Sequence, residues 1–217
     1  MITNPITIDK FAAINDQVLP MFMVLMYLLP VYRYTSRLVS EKQRKTRDLT
    51  RLIGVGESPY WLSWFVFFVI GMTVISLGCA LILTYGVFKY TSFLPMLIFF
   101  WLYGLSLFGY ILLISSFFRQ SVTLASVVST LFFFISSFVD LLVDNKYMPE
   151  HYTTLASILP TVAIRRAVAT ISKLENQRRG FTFSTINDVV YNFRMVTCFV
   201  MFIFAFFVLS TLGLYLS

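Results

Sequence analysis

Charge is scarce in this chain, and acid and histidine are scarcest of all. Its 217 residues hold ten Asp and Glu, one His and two Cys, and only 12% are charged, about half of what a soluble domain carries. A globule with so little polar surface could not be wetted, so the solvent for most of the chain is lipid. General acid–base chemistry needs His, Cys, Asp or Glu clustered at one place, which argues against a membrane enzyme. His151 stands alone beside Glu150, and one imidazole builds no zinc site without further ligands. Cys79 and Cys198 fall inside apolar runs, where a free thiol behaves as a small hydrophobe, and their spacing fits neither disulfide nor metal. Ion-coupled transporters and channels need carboxylates or polar rings within the membrane. Asp140 is the only acid placed in or against the last four apolar runs, and no inverted repeat of broken helices is visible. The first residues are polar with Lys10 as their only base, so they form no cleavable signal pattern.

What the chain has instead is hydrophobic length, with 58% hydrophobic and 18% aromatic residues. Crossing about 30 Å of hydrocarbon takes about 20 helical residues. Five runs are expected to do so, at 15–34, 59–88, 93–118, 122–139 and 195–216. The fold class that follows is an all-α polytopic membrane bundle, preceded by an exterior segment 1–14. Pro20 and Pro30 lie near the ends of the first run and are expected to bend or fray it. Ser58-Pro59 reads as a hydroxyl N-cap followed by a first-turn proline, with Trp61 and Trp64 at the level of an interfacial aromatic belt. Lys89-Tyr90-Thr91-Ser92 and Arg119-Gln120 are tight turns, so the second, third and fourth spans are sequential antiparallel neighbours.

The connector between the first two spans carries Arg33, Arg37, Lys42, Arg44, Lys45, Arg47 and Arg51. Each Lys or Arg at the bilayer centre costs roughly 2.5 kcal/mol or more, so this connector lies outside hydrocarbon. A short basic loop is expected on the cytosolic side, which puts the N-terminus outside or in a lumen and the C-terminus in the cytosol. The formal charge of +7 resides in such connectors, marking topology rather than a nucleic-acid surface. Residues 38–53 read as one helix in which Glu41 with Lys45, and Arg44 with Asp48, pair at i,i+4. Leu49, Leu52 and Ile53 form an apolar patch, and Gly54 and Gly56 stop the helix. Two uses fit this pattern equally: a rod that takes force from a soluble partner, or a surface helix lying on anionic headgroups.

The stretch 148–188 is apolar in part, yet Arg165-Arg166 sits in its middle and Pro160 interrupts it. As a sixth crossing it would place two guanidiniums at mid-membrane. A re-entrant or interfacial helical hairpin on the exterior, which lets them reach water or headgroups, is the expectation. Five spans then put Lys146, Arg165, Arg166, Lys173, Arg178 and Arg179 outside, nearly matching the inside connector, so the positive-inside rule is strained here.

The run Val39-Ser-Glu-Lys-Gln-Arg-Lys-Thr-Arg-Asp-Leu-Thr-Arg-Leu-Ile-Gly54, followed by Trp61-Leu-Ser-Trp64-Phe65, resembles the membrane domain of ATP-binding cassette transporters of subfamily A. Leu19-Pro-Met-Phe-Met-Val24 is similar to that family's second membrane helix, and Leu124-Ala-Ser126 to its fifth. Ser157-Ile-Leu-Pro160 and Glu175-Asn-Gln-Arg-Arg-Gly180 are similar to its exterior hairpin. The resemblance covers about 11–216 and implies a type-2 exporter membrane domain holding the second to sixth helices. It implies that the connector, through Glu41, Lys42, Arg44, Lys45, Arg47, Asp48, Leu49, Leu52, Ile53 and Gly54, is the coupling helix that docks on an ATPase domain. Gln43 and Asp48 depart from the acidic positions usual there.

The implied substrates are phospholipids, sterols and related amphiphiles, with Arg165, Arg166, Arg178 and Arg179 as candidate headgroup contacts. Implied partners are membrane lipids, a nucleotide-binding domain in cis or trans and a second transmembrane domain, with no nucleic acid. No phosphate loop of the form GxxxxGK[ST] and no LSGGQ-like run occurs in these residues. ATP and magnesium are therefore expected only on the ATPase partner, with no cofactor in this chain. The family's first helix, large exterior domain and ATPase domain lie outside these residues, so a piece of a larger product or a subunit served in trans is expected. The alternative is a non-transporting scaffold or degenerate transporter fragment.

Overall fold

The computed structural model describes residues 10–54, 56–118, 121–139, 154–190 and 193–216. Among these the elements are α1 (Lys10–Gln43), α2 (Thr46–Leu52), α3 (Glu57–Ile82, extended by a π-helical turn Leu83–Val87), α4 (Phe93–Phe117), α5 (Val122–Ser136), α6 (Pro160–Asn176) and α7 (Met195–Leu216). A two-residue antiparallel ladder, β1 (Val189–Val190) with β2 (Phe193–Arg194), leads into α7. The protein is an all-α polytopic membrane bundle.

Four helices are long and apolar enough to cross a membrane, Val18–Gln43, Glu57–Val87, Phe93–Phe117 and Met195–Leu216. The fourth expected span, 122–139, is instead the 15-residue α5. At 1.5 Å per residue that is about 22 Å, short of the hydrocarbon thickness. Its C-terminal end at Ser136 meets Thr161 of α6 through a 2.8 Å hydroxyl pair, so α6 continues toward the far side where α5 stops. The first span is longer than expected. α1 starts at Lys10, inside the segment assigned to the exterior, and runs unbroken through Pro20 and Pro30 to Gln43. α3 begins at Glu57 behind Gly56 rather than behind a Ser58 cap. Glu57 in the first turn favours the positive end of the helix dipole and pairs with Arg51. The Arg119-Gln120 turn, Asp140, Asp144, Lys146, His151 and the first part of 148–188 lie outside the described residues.

α4 is the axis of the bundle, packed between α3 and α7 and touching α1. Met96, Phe99, Phe100, Tyr103, Leu107 and Ile111 fill its core-facing sides. Its seam with α7 is tight because both helices lack side chains at the crossing. A Cβ on Gly213 would lie 2.7 Å from the Leu113 amide nitrogen, and one on Gly109 would lie 2.9 Å from Leu209 Cβ. Small residues that let backbones approach are how helices associate in lipid, where hydrophobic burial gives no preference for protein over acyl chain. α1 packs on α5 and α6, and Thr35 Oγ1 and Ser129 Oγ lie 3.2 Å apart across the α1–α5 contact.

Candidate functional site

The bundle has two polar ends, each built by long-range contacts of a single carboxylate. At the connector end, Glu41 sits in the last turns of α1. Its Oε2 accepts from Trp64 Nε1 at 2.8 Å and from Tyr60 Oη at 3.0 Å. Lys42 Nζ donates to the Ser115 carbonyl oxygen at 3.2 Å, which in the last turn of α4 also accepts from the Phe118 amide at 3.3 Å. One turn of α1 is thus fastened to α3 on one side and α4 on the other.

These contacts reshape the connector. The expected single helix over 38–53 is two helices. Lys45 takes a left-handed conformation, φ 53°, and breaks the rod after Gln43. The physical reason is closure. Glu41 is held against Tyr60 and Trp64, so the chain between them must double back, and a straight helix to residue 53 would carry it about 15 Å away. Glu41 and Lys42 therefore belong to the membrane helix, and Thr46–Leu52 alone forms the short rod.

The i,i+4 pairs expected between Glu41 and Lys45, and between Arg44 and Asp48, do not form among the described residues. The Glu41 carboxylate is taken by α3. Arg51 instead pairs with Glu57, closing the turn at Ile53 and Gly54, where φ of 88° at Gly54 favours glycine as the stop. Arg47 lies on α2, Arg44, Lys45 and Asp48 are exposed, and Leu49, Leu52 and Ile53 are 55%, 84% and 80% exposed. Two large aliphatic side chains bare on α2, with a third at its C-cap Ile53, form an apolar knob ringed by base.

At the opposite end Glu175, the last acid of α6, accepts from the backbone nitrogens of Lys89 and Tyr90 (2.8 Å for Tyr90) and from Thr91 Oγ1 at 2.8 Å. The Phe181 amide donates to Thr91 Oγ1 at 3.1 Å, and the Ser92 amide donates to the Phe181 carbonyl at 2.9 Å. The α3–α4 turn is thereby latched to the C-terminal end of α6. Sequence reasoning assigned Glu175 no role, since nothing local marks a carboxylate that serves a turn 84 to 86 residues away.

The four arginines expected on the exterior separate. Arg165 does not reach water or headgroups: it is 8% exposed, and its Nη1 donates to the Ser137 carbonyl at 2.7 Å. Ser137 is the C-cap of α5, at a helix end where the last carbonyls lack intrahelical donors. Arg166 is half-buried, while Arg178 and Arg179 are exposed and Arg179 pairs with Asp188 at 2.9 Å. Among the described residues no three His, Cys, Asp or Glu converge on a metal-sized site.

The architecture is therefore a set of membrane helices, with α1 tied to α3 and α4 at the end that carries the basic connector. Residues 6–215 match the family described as ABC-2 family transporter protein. The chain belongs to the ABC-2 transporter family. Among relatives, the cholesterol transporter ABCA5 of Mus musculus is 25% identical over 198 residues, covering 87% of this chain and 12% of that protein. ATP-binding cassette sub-family A member 6 of Homo sapiens is 26% identical over 190 residues, covering 84% of this chain and 12% of its own length. Sub-family A member 13 of Homo sapiens is 27% identical over 170 residues, 77% of this chain and 3% of its own length. This ABC-2 membrane domain thus spans only a small part of the length of each of these three relatives.

Proposed function

We propose that this ABC-2 membrane domain is the permeation half of an ATP-driven transporter of lipids or related amphiphiles. α2 is the element through which a nucleotide-binding domain moves it. The observation that carries this reading is the bare knob of Leu49 and Leu52 on α2 with Ile53 at its C-cap, clamped at both ends. Arg51 with Glu57 fixes its exit, while Glu41 and Lys42 fix its entry to α3 and α4. A displacement of α2 is passed to three membrane helices with little slack. In this reading the connector faces the cytosol, as its seven basic residues favour, and the turn held by Glu175 faces outward. ATP and magnesium belong to the partner domain, and a second transmembrane domain completes the path. The relatives named for cholesterol transport support an amphiphilic cargo.

The test is reconstitution of the assembled transporter with Leu52→Glu, and with charge reversal at Arg44, Lys45 or Arg47. ATP hydrolysis is expected to persist while lipid movement falls. Coupling unchanged from wild type overturns the docking role, and absence of lipid movement in the wild-type assembly restores the scaffold reading. A cysteine placed at Lys45 in sealed vesicles should react only from the cytosolic face; labelling from outside reverses the orientation.

A further inference from the structure

Three hydroxyls from three different helices meet in the core without a partner. Tyr27 of α1, Ser76 of α3 and Tyr103 of α4 are each 0% exposed. Among the described residues, Tyr27 Oη, Ser76 Oγ and Tyr103 Oη make no hydrogen bond. All three belong to helices long and apolar enough to cross a membrane, where lipid supplies no donor or acceptor. Cys79, a free and buried thiol, joins them from the same face of α3 as Ser76. The Tyr27 and Tyr103 rings meet edge to face with centroids 4.7 Å apart. Ser76 and Cys79 flank the Tyr27 hydroxyl, and Cys79 also neighbours the hydroxyl of Tyr103. These groups are close, yet none of them reaches hydrogen-bond geometry with another.

Other buried hydroxyls of the bundle behave differently. Ser106, Ser115 and Ser136 donate to the carbonyl three residues earlier at 2.7, 2.9 and 2.8 Å. Tyr110, two turns along α4 from Tyr103, donates to the Ser129 carbonyl at 2.8 Å. Ser76 makes no such back-bond, and Tyr27 and Tyr103 reach no such carbonyl. Buried polar groups are nearly always paired, either with protein or with ordered water. Polar groups that are near but not bonded are where a water bridges. A buried water makes about three hydrogen bonds and needs two to four polar partners. This node offers three hydroxyls and a thiol.

We propose that the node of Tyr27, Ser76 and Tyr103 is a water-binding site, at which one molecule joins α1 to α3 and α4. The water accepts from the two phenolic O–H groups and donates to Ser76 Oγ, with the Cys79 thiol beside it. α1 is thus held to the axis of the bundle by a polar bridge here, whereas α4 and α7 meet through bare backbone at Gly109 and Gly213.

The experiment is infrared spectroscopy of the Cys79 S–H stretch in the full chain carrying Cys198→Ala, moved in micelles from H2O to D2O. A water at the node carries deuterons to the thiol. S–H is therefore expected to become S–D while the surrounding amides of α3, bonded within the helix, stay protonated. Tyr27→Phe combined with Tyr103→Phe removes two of the water's partners without emptying the core. Conversion should then slow about tenfold, as loss of one or two hydrogen bonds implies, with amide protection unchanged. Conversion no faster than that of the α3 amides overturns the proposal, and so does conversion undiminished in the double variant. An experimental structure that resolves ordered water should show one within hydrogen-bond reach of both Tyr27 Oη and Ser76 Oγ. Finding these hydroxyls bonded directly to each other or to backbone carbonyls would also overturn it.

Discussion

Trp64 Nε1 donates to Glu41 Oε2 at 2.8 Å, a bond that joins the second turn of α3 to the last turns of α1. It brackets the connector, so the shape of α2 depends on a contact made outside α2. Glu41→Ala leaves a part-buried indole N–H without its acceptor and is expected to cost about 1–3 kcal/mol. Trp64→Phe removes the donor instead, and adding it to Glu41→Ala should cost less than it does in wild type. Chemical unfolding of the four proteins in micelles measures the coupling, expected at about 1–2 kcal/mol. Strict additivity would show that the bond contributes nothing.

Glu175 holds the opposite end by accepting from Lys89, Tyr90 and Thr91. Glu175→Ala orphans two backbone amides and a hydroxyl while removing little apolar contact. Its effect should therefore be local. The Tyr90 amide is expected to exchange with solvent about ten- to a hundredfold faster, the equivalent of about 1–3 kcal/mol of opening free energy. Amides near Tyr103 in the middle of α4 should not change. Faster exchange throughout α4 would mean that the latch supports the whole bundle rather than one turn.

Arg165 and Arg178 make a second contrast, because one lies within α6 and the other just past its end, and their surroundings are opposite. Arg165→Ala strips the Ser137 carbonyl of its buried donor and is expected to lower stability by about 1.5–3 kcal/mol. Arg178→Ala, at an exposed left-handed position, should leave unfolding within about 0.5 kcal/mol of wild type. Equal effects would place both guanidiniums in the same environment.

The membrane class, the connector and the family were legible because each is written in composition or in short-range order: scarce charge, long apolar runs, a basic island and a Trp-rich helix entry. What was not legible depends on partners distant in sequence. The i,i+4 rule pairs Glu41 with Lys45, but two donors on α3 compete for that carboxylate and win, and the predicted rod breaks at Lys45. Hydropathy counts residues 122–139 as a span, yet α5 stops at Ser136, where Arg165 and Thr161 from α6 meet its C-terminal end. Arg165 reads as a snorkelling cation until the Ser137 carbonyl that receives it is known.

Two glycines of similar sequence setting are expected to respond with opposite sign. A Cβ at Gly213 would meet Leu113 N at 2.7 Å and the Leu112 carbonyl carbon at 2.8 Å, whereas one at Gly78 would meet nothing within 4 Å. Alanine is favoured over glycine in a helix interior by about 1 kcal/mol, so Gly78→Ala should stabilise the chain by up to that amount. At Gly213 the same gain is opposed by overpacking against backbone, which cannot swing aside as a side chain can, and typically costs 1–3 kcal/mol. Gly213→Ala should therefore be neutral to destabilising, and Gly213→Leu should part α4 from α7. Unfolding in mixed micelles measures both, with a disulfide between cysteines introduced across the α4–α7 seam as a check on separation. If Gly213→Ala stabilises as much as Gly78→Ala, the two helices do not meet at Gly213, and the tight axis of the bundle must lie elsewhere.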